Sequence, residues 1–166
     1  EEAVQNLIEV TLPVMGNETL RPALLERPLT QSEDFFDFDT KYMNGGGKKG
    51  GGKKMGGAKG TQGSQGYSEV PAKLEDKLYK KAEEIGLQVY RALGCSGTAR
   101  IDMLIDGKTN QVYFNEVNPL PGSLYAHNWR AAGVSNVELV QQLVRLAEER
   151  WQHQQQNNTI FTTNFL

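Results

Sequence analysis

Asp102, Glu116 and Asn118 offer three oxygen-bearing side chains from two short stretches, Ala99-Arg-Ile-Asp-Met-Leu-Ile-Asp106 and Val112-Tyr-Phe-Asn-Glu-Val-Asn118, with Arg100 beside them. Hard cations such as Mg2+ take carboxylate and amide oxygens and commonly share their coordination with substrate phosphates. Side chains alternate along a strand, so Arg100 and Asp102 point one way, as do Glu116 and Asn118. If Asp106-Gly-Lys-Thr-Asn110 closes a symmetric antiparallel hairpin, Arg100 falls opposite Glu116 and Asp102 on the diagonal. All four then share a face, with neighbours within about 4.5–8 Å. That pattern suits a metal–phosphate site. A plainer reading competes, in which the acids are a solvated strand face and Arg100 merely pairs with Glu116. Against it, Val112 and Phe114 share the parity of Glu116, and a carboxylate on a partly apolar face needs a partner. A metal would supply one.

These residues need a sheet and helices to hold them. Ile8, Val10, Leu12 and Val14 alternate with mostly polar neighbours, which predicts a half-buried strand. Asn17-Glu-Thr reads as a turn, and Pro22 and Pro28 keep the following stretch extended. Leu78, Ala82, Ile85, Val89 and Leu93 form one apolar stripe at helical spacing, and Gly94 supplies the stop. Ser135-Asn-Val-Glu138 is a capping box opening a second amphipathic helix. Its inner edge is expected to carry Leu139, Leu143, Leu146 and Arg150, with Val140 and Ala147 beside it. From Gln152 onward the chain is polar and reads as a frayed tail, with Phe161, Phe165 and Leu166 as apolar exceptions.

The 166 residues amount to one domain, with net charge −2. No apolar run approaches the ~20 residues of a membrane span. The N-terminal residues lack the pattern of a signal peptide and begin without Met directly before an expected strand, which reads as the start of a fragment. Cys95, the single cysteine, cannot form an internal disulfide, which suits a cytoplasmic setting and a small buried role. His127 and His153 lack zinc-type spacing. Residues 44–66 are nearly all Gly, Lys, Gln and Ser, too polar to offset their ordering entropy, and are expected to be a flexible loop. Six lysines and no acid lie between Thr40 and Ser68, leaving the rest of the chain at −8. A substrate-covering lid, a solvated linker and a polyanion-binding arm all fit that composition. The Gly-Lys runs are no Walker A motif, and they lack the arginines and aromatics usual in RNA-binding segments.

The run from Gly97 to Ile105, followed by Val-Tyr-Phe-Asn-Glu-Val-Asn-Pro-Leu-Pro-Gly122, resembles the C-terminal half of the ATP-grasp domain of D-alanine–D-alanine ligases. Phe35-Phe-Asp-Phe-Asp-Thr-Lys-Tyr42 is similar to that family's mobile loop, and Ile8-Glu-Val-Thr-Leu-Pro-Val-Met-Gly-Asn17 to its ribose-holding strand. The resemblance implies an α+β fold over residues 1–151: half of an ATP-grasp domain, an antiparallel sheet with two main helices on one face, the flexible loop, and a polar tail at 152–166. It implies an ATP-dependent ligase that joins D-alanine to D-alanine, or to a related acceptor, through an acyl phosphate. Two Mg2+ ions (or Mn2+) would be held by Asp102, Glu116 and Asn118. Lys41 would hold the terminal phosphate, Glu9 the ribose, and Phe114 would lie with Glu116 at the nucleotide. Arg100 and the Gly122 N–H would form the oxyanion site, with Ser123 and Leu124 taking the second substrate's carboxylate. In the family several residues separate Pro-Gly from Ser-Leu, and here there are none, which leaves D-Ala, D-lactate, D-Ser or another acceptor open. The partners implied are a small amino acid, the missing N-terminal part of the ligase, and a second copy in a homodimer. Without that N-terminal part the piece is expected to be inactive. Alternatives are another ATP-grasp ligase, or a non-catalytic module binding polyanions through its lysines.

Overall fold

A computed structural model describes residues 6–29 and 68–156. Lys41, the 44–66 loop and residues 157–166 lie outside the described residues. The chain divides into two compact units, Glu1–Arg27 with Glu69–Leu166, and Pro28–Ser68. Only Pro28, Leu29 and Ser68 of the second unit are described. The account that follows concerns the first unit.

Strand β1 spans Leu7–Gly16 and β2 is the pair Arg21–Pro22. Two further residue pairs, β3 (Arg27–Pro28) and β4 (Ser68–Glu69), form a separate small ladder. Strands β5 (Gly97–Asp106) and β6 (Gln111–Asn118) complete an antiparallel sheet ordered β2-β1-β5-β6. Pro22 and Pro28 lie in extended segments, as expected. Alternation sends Val10, Leu12 and Val14 to one face together with Ala99, Ile101, Met103 and Ile105, their cross-strand partners or neighbours. These seven side chains form the heart of the main core.

Helix α1, Asp76–Ala92, closes that core. Its buried residues are Leu78, Ala82, Gly86 and Tyr90, with Ile85 and Val89 packed alongside. The stripe is therefore rotated from the expected one, and Leu93 is 51% exposed at the helix end. Gly86 explains the rotation. A Cβ there would sit 2.7 Å from Leu12 Cδ2, so any larger residue would have to push the Leu12 side chain aside for the helix to lie this close to the sheet. Gly94, with φ of +64°, ends the helix as expected, and the Cys95 N–H bonds back to Tyr90 O at 3.1 Å. Cys95 is half-buried, and burial raises its thiol pKa.

A short helix, α2 (Ala126–Ala131), leads to α3, Asn136–Gln156. The two main helices do not share a face of the sheet, contrary to expectation. The α3 edge of Leu139, Leu143 and Leu146 joins a second cluster with Met15, Ala23, Trp129 and Val134. Met15 alternates to the side opposite Leu12 and Val14. Arg150, Val140 and Ala147 are exposed rather than inward. The helix runs five residues past Trp151 into the expected tail, because Gln is a good helix former.

The capping box forms: Glu138 N–H donates to Ser135 Oγ at 3.2 Å, and Ser135 N–H to a Glu138 carboxylate oxygen at 3.0 Å. That backbone bond holds the Glu138 carboxyl below its usual pKa. A depressed folded-state value stabilises the fold above the unfolded pKa, and the contribution is lost as pH falls through the folded one. Ser135→Ala, which removes the hydroxyl but keeps the N–H, should return Glu138 only part of the way toward an ordinary carboxyl pKa and flatten acid-side stability slightly. Titration of the Glu138 side chain by NMR checks this, and an unmoved pKa would show that the backbone bond alone sets it.

Candidate functional site

The β5–β6 hairpin positions the polar set by a route the symmetric closure does not describe. Asp106 pairs with Gln111, leaving residues 107–110 as the turn. Asp106 caps it by accepting the Lys108 N–H at 2.8 Å, and Asn110 adopts a left-handed φ of +55°. From there Ile105 opposes Val112, and Met103 opposes Phe114. Continued regularly, this register would bring Asn115 across from Asp102 and turn Glu116 to the core side. A β-bulge intervenes between the Phe114 and Glu116 pairings. One extra residue on one strand resets which side chains face which way. Asp102 therefore opposes Glu116, and Arg100 opposes Asn118.

All four polar residues share a face, as expected, but in a different pairing. The same bulge separates Phe114 from Glu116. Phe114 lies opposite Met103, with the core-facing set, so the expectation that Val112, Phe114 and Glu116 share a face is corrected. Glu116 is no half-buried acid either, its side chain being 63% exposed.

Asp102 is the buried anchor, 3% exposed. Its Oδ1 accepts from Thr11 Oγ1 at 2.8 Å and from Arg100 Nε at 2.9 Å, and its Oδ2 from Arg100 Nη2 at 2.7 Å. Thr11 lies across from Asp102 on β1. Burial opposes the Arg100 charge, yet hydrogen bonds and attraction from Asp102, with Tyr125 and Glu116 adding, raise its pKa. The guanidinium lies 3.9 Å from Glu116 Oε1 and 5.6 Å from the Tyr125 ring centre.

Of roughly four lone-pair directions on a carboxylate, these three bonds leave one, on Oδ2. Asn118 Oδ1 accepts only the Leu120 N–H at 3.0 Å among its recorded bonds, and Glu116 extends into solvent. The donor set fits a hard cation shared with phosphate oxygens. Among the described residues, no three His, Cys, Asp or Glu side chains could hold a metal by themselves. Such a cation would therefore need the Asn118 amide and ligand oxygens, the usual habit of Mg2+. Glu9 alternates to the same face, opposite Leu104.

After Asn118 the chain turns through Gly122–Tyr125, a kinked segment rather than a regular helical turn. Ser123, Leu124 and Tyr125 take φ of +51°, +53° and +55°. Three successive left-handed residues cost about 1–2 kcal/mol each, so other contacts must hold them. A Cβ on Gly122 would meet nothing within 4 Å, which leaves its backbone open to a ligand. Tyr125, at the end of the turn, is where it meets Arg100. Burial, then Glu26, push the Tyr125 hydroxyl pKa upward against Arg100, so the phenol stays neutral.

Sequence reasoning missed Thr11, Glu26, Tyr125, His127 and Asn128. Their partners lie about a hundred residues away, and no local spacing signals them. Only the direct Pro-Gly-Ser-Leu junction hinted at an unusual turn.

The sequence matches the family described as D-ala D-ala ligase C-terminus over residues 57–145. It is 36% identical over 152 residues to the D-alanine–D-alanine ligase of Ligilactobacillus salivarius, covering 89% of this chain and 35% of that protein. It is 32% identical over 151 residues to D-alanine–D-alanine ligase B of Clostridium tetani, covering 89% of this chain and 36% of that protein. The VanG D-Ala:D-Ser ligase of Enterococcus faecalis is similar in structure, with TM-score 0.62 and 27% identity over 88% of this chain and 37% of that one. The ligase of Coxiella burnetii shares the fold at TM-score 0.64 and 22% identity, over 93% of this chain and 35% of that one. The chain spans about a third of the length of the curated relatives it matches.

Proposed function

This chain belongs to the D-alanine–D-alanine ligase family, matching its C-terminal region, and from that premise we propose that it supplies the metal–nucleotide and acceptor side of an ATP-dependent carboxylate–amine ligase. One observation carries the reading: the bulged hairpin puts Arg100 and Asp102 across from Asn118 and Glu116, immediately before the exposed Gly122 turn. The reaction has two steps. The terminal phosphate of ATP passes to the carboxylate of a first amino acid, giving an acyl phosphate and ADP. The amine of a second amino acid then attacks that carbonyl, and phosphate leaves.

Negative charge develops on oxygen in both steps, so stabilisation is mainly electrostatic. Arg100, held rigid by its fork on Asp102, and the Gly122 N–H face that charge. Glu9 binds the nucleotide ribose. Lys41, outside the described residues, reaches the terminal phosphate. Ser123 and Leu124 bind the acceptor carboxylate. Mg2+ held by Asp102, Glu116 and Asn118 would neutralise the phosphates. Phe114, named with Glu116 for the nucleotide, lies opposite Met103 across the bulge from the polar set, so a contact with the nucleotide would come from the other side of the hairpin. D-alanyl-D-alanine for peptidoglycan precursors is the product expected from the curated relatives. The likeness to a D-Ala:D-Ser ligase makes D-serine the first alternative acceptor.

A panel of D- and L-amino acids and D-hydroxy acids, assayed for phosphate release by the whole protein that carries this chain, tests the reading. Turnover is expected with D-alanine as donor and one preferred acceptor. ATP hydrolysis indifferent to every amino acid would overturn it.

A further inference from the structure

The turn that carries Ser123 and Leu124 packs Leu124 against the cluster of Met15 and Trp129, and a buried carboxylate adds polar ties to the sheet. Glu26 is 5% exposed and bridges to β1, its N–H and C=O pairing with Thr11 C=O and N–H at 2.9 and 2.8 Å. Thr11 is the residue whose hydroxyl holds Asp102. From the other side, His127 Nε2 lies 2.8 Å from Glu26 Oε2, and Asn128 Nδ2 donates to the same oxygen at 3.1 Å. The Tyr125 hydroxyl also interacts electrostatically with Glu26.

Asn128, fully buried, also clasps the backbone of Leu24. Its Nδ2 donates to Leu24 O and its Oδ1 accepts Leu24 N–H, both at 3.0 Å. Three consecutive left-handed residues persist only where their surroundings over-determine them. Here the last of them, Tyr125, and the two polar residues that follow converge on Glu26. The Tyr125 and His127 rings add a tilted contact at 4.5 Å between centres.

We propose that Glu26 is a positioning residue for the acceptor: by gathering Tyr125, His127 and Asn128 onto the strand that holds Asp102, it fixes where Ser123 and Leu124 meet the second substrate. This rests on the ligase reading above. The clamp replaces the missing spacer between Pro-Gly and Ser-Leu as the device that sets the turn. It leaves the Asp102 site in place, because Asp102 has its own bonds to Arg100 and Thr11 Oγ1, and the Thr11 backbone pair with Glu26 survives side-chain substitution. Tyr125 also faces Arg100, whose guanidinium lies 5.6 Å from its ring centre, so the rate can fall with acceptor affinity while nucleotide binding holds.

The test compares Glu26→Ala, Glu26→Gln and His127→Ala in the whole protein. The acceptor KM is measured at fixed donor, beside the KM for ATP. A displacement of about 1 Å in a bound group costs on the order of 10²-fold, so Glu26→Ala should raise the acceptor KM about 10- to 100-fold. The ATP KM should hold, and Glu26→Gln, whose amide oxygen still accepts hydrogen bonds, should recover much of the loss. Amide hydrogen exchange supplies a readout independent of turnover. The Leu124 N–H, bonded to Pro121 O at 3.0 Å, should exchange faster in Glu26→Ala and His127→Ala, while strand amides keep their protection. If Glu26→Ala does not fold, His127→Ala, at the partly exposed rim, carries the same comparison. Unchanged acceptor KM and Leu124 exchange in all three variants would overturn the proposal, as would ATP and acceptor constants that rise together. Failure of the ligase reading would show elsewhere, in an unsubstituted protein that releases no phosphate with any amino acid.

Discussion

Replacing Arg100 with Ala in the whole protein should lower the ligation rate about 10²- to 10³-fold, the usual cost of losing one preorganised contact to a developing oxyanion. Nucleotide binding should survive, because Asp102 keeps its bond from Thr11 and Glu116 and Asn118 are untouched. Arg100→Lys should recover little. The fork to Asp102 uses two nitrogens at 2.9 and 2.7 Å, a planar geometry that an ammonium cannot copy. Some stability should go as well, about 1–3 kcal/mol, since Asp102 is left buried with part of its hydrogen bonding unmade. The rate must therefore be read below the onset of unfolding, alongside nucleotide affinity. A rate within a factor of a few of the parent would remove Arg100 from the chemistry and leave it a structural partner of Asp102.

Glu116→Gln should weaken binding of Mn2+ with ATP on the order of 10- to 100-fold, the scale on which even outer-shell changes act on metal sites. Its side chain is 63% exposed and crosses no core contact, so the melting temperature should barely move. That separation makes the variant informative: a lost metal signal in an unaltered fold can only report the site. Asn118→Ala should be milder, because it removes a neutral oxygen rather than a charge. Paramagnetic relaxation of water protons, titrated with Mn2+ and ATP, measures both. Equal affinity in Glu116→Gln and the parent would sink the metal assignment.

Much of this architecture can be read from residue order. The alternation of Ile8, Val10, Leu12 and Val14, the Leu78-to-Val89 periodicity and the Ser135–Glu138 box each report a local preference that the fold keeps. That Arg100 points with Asp102, and Glu116 with Asn118, was readable for the same reason, since strand parity is local; that both pairs share one face was not, because it depends on the bulge. The pairing within it was not. Register depends on turn closure and on a bulge, and hydrophobic alternation through Val112 and Phe114 carries no mark of the extra residue that follows. Nor could the helices be assigned to faces. That follows from which side of the sheet Met15 presents to Trp129 and Leu139, a tertiary fact. The Glu26–His127 pair spans 101 positions, beyond any motif.

The bulge at Asn115 has a consequence for how such a hairpin can vary over evolutionary time. On its turn side Ile105, Val112 and Met103 belong to the core beneath α1; on its far side Asp102–Glu116 and Arg100–Asn118 form the polar face. An unbroken ladder would lock the two halves into one alternation, so that any slip made to improve packing would turn the carboxylates inward. With a dislocation between them, core substitutions can accumulate near the turn while the polar residues keep their aim. A single extra residue thus uncouples the aim of the polar face from the packing of the core.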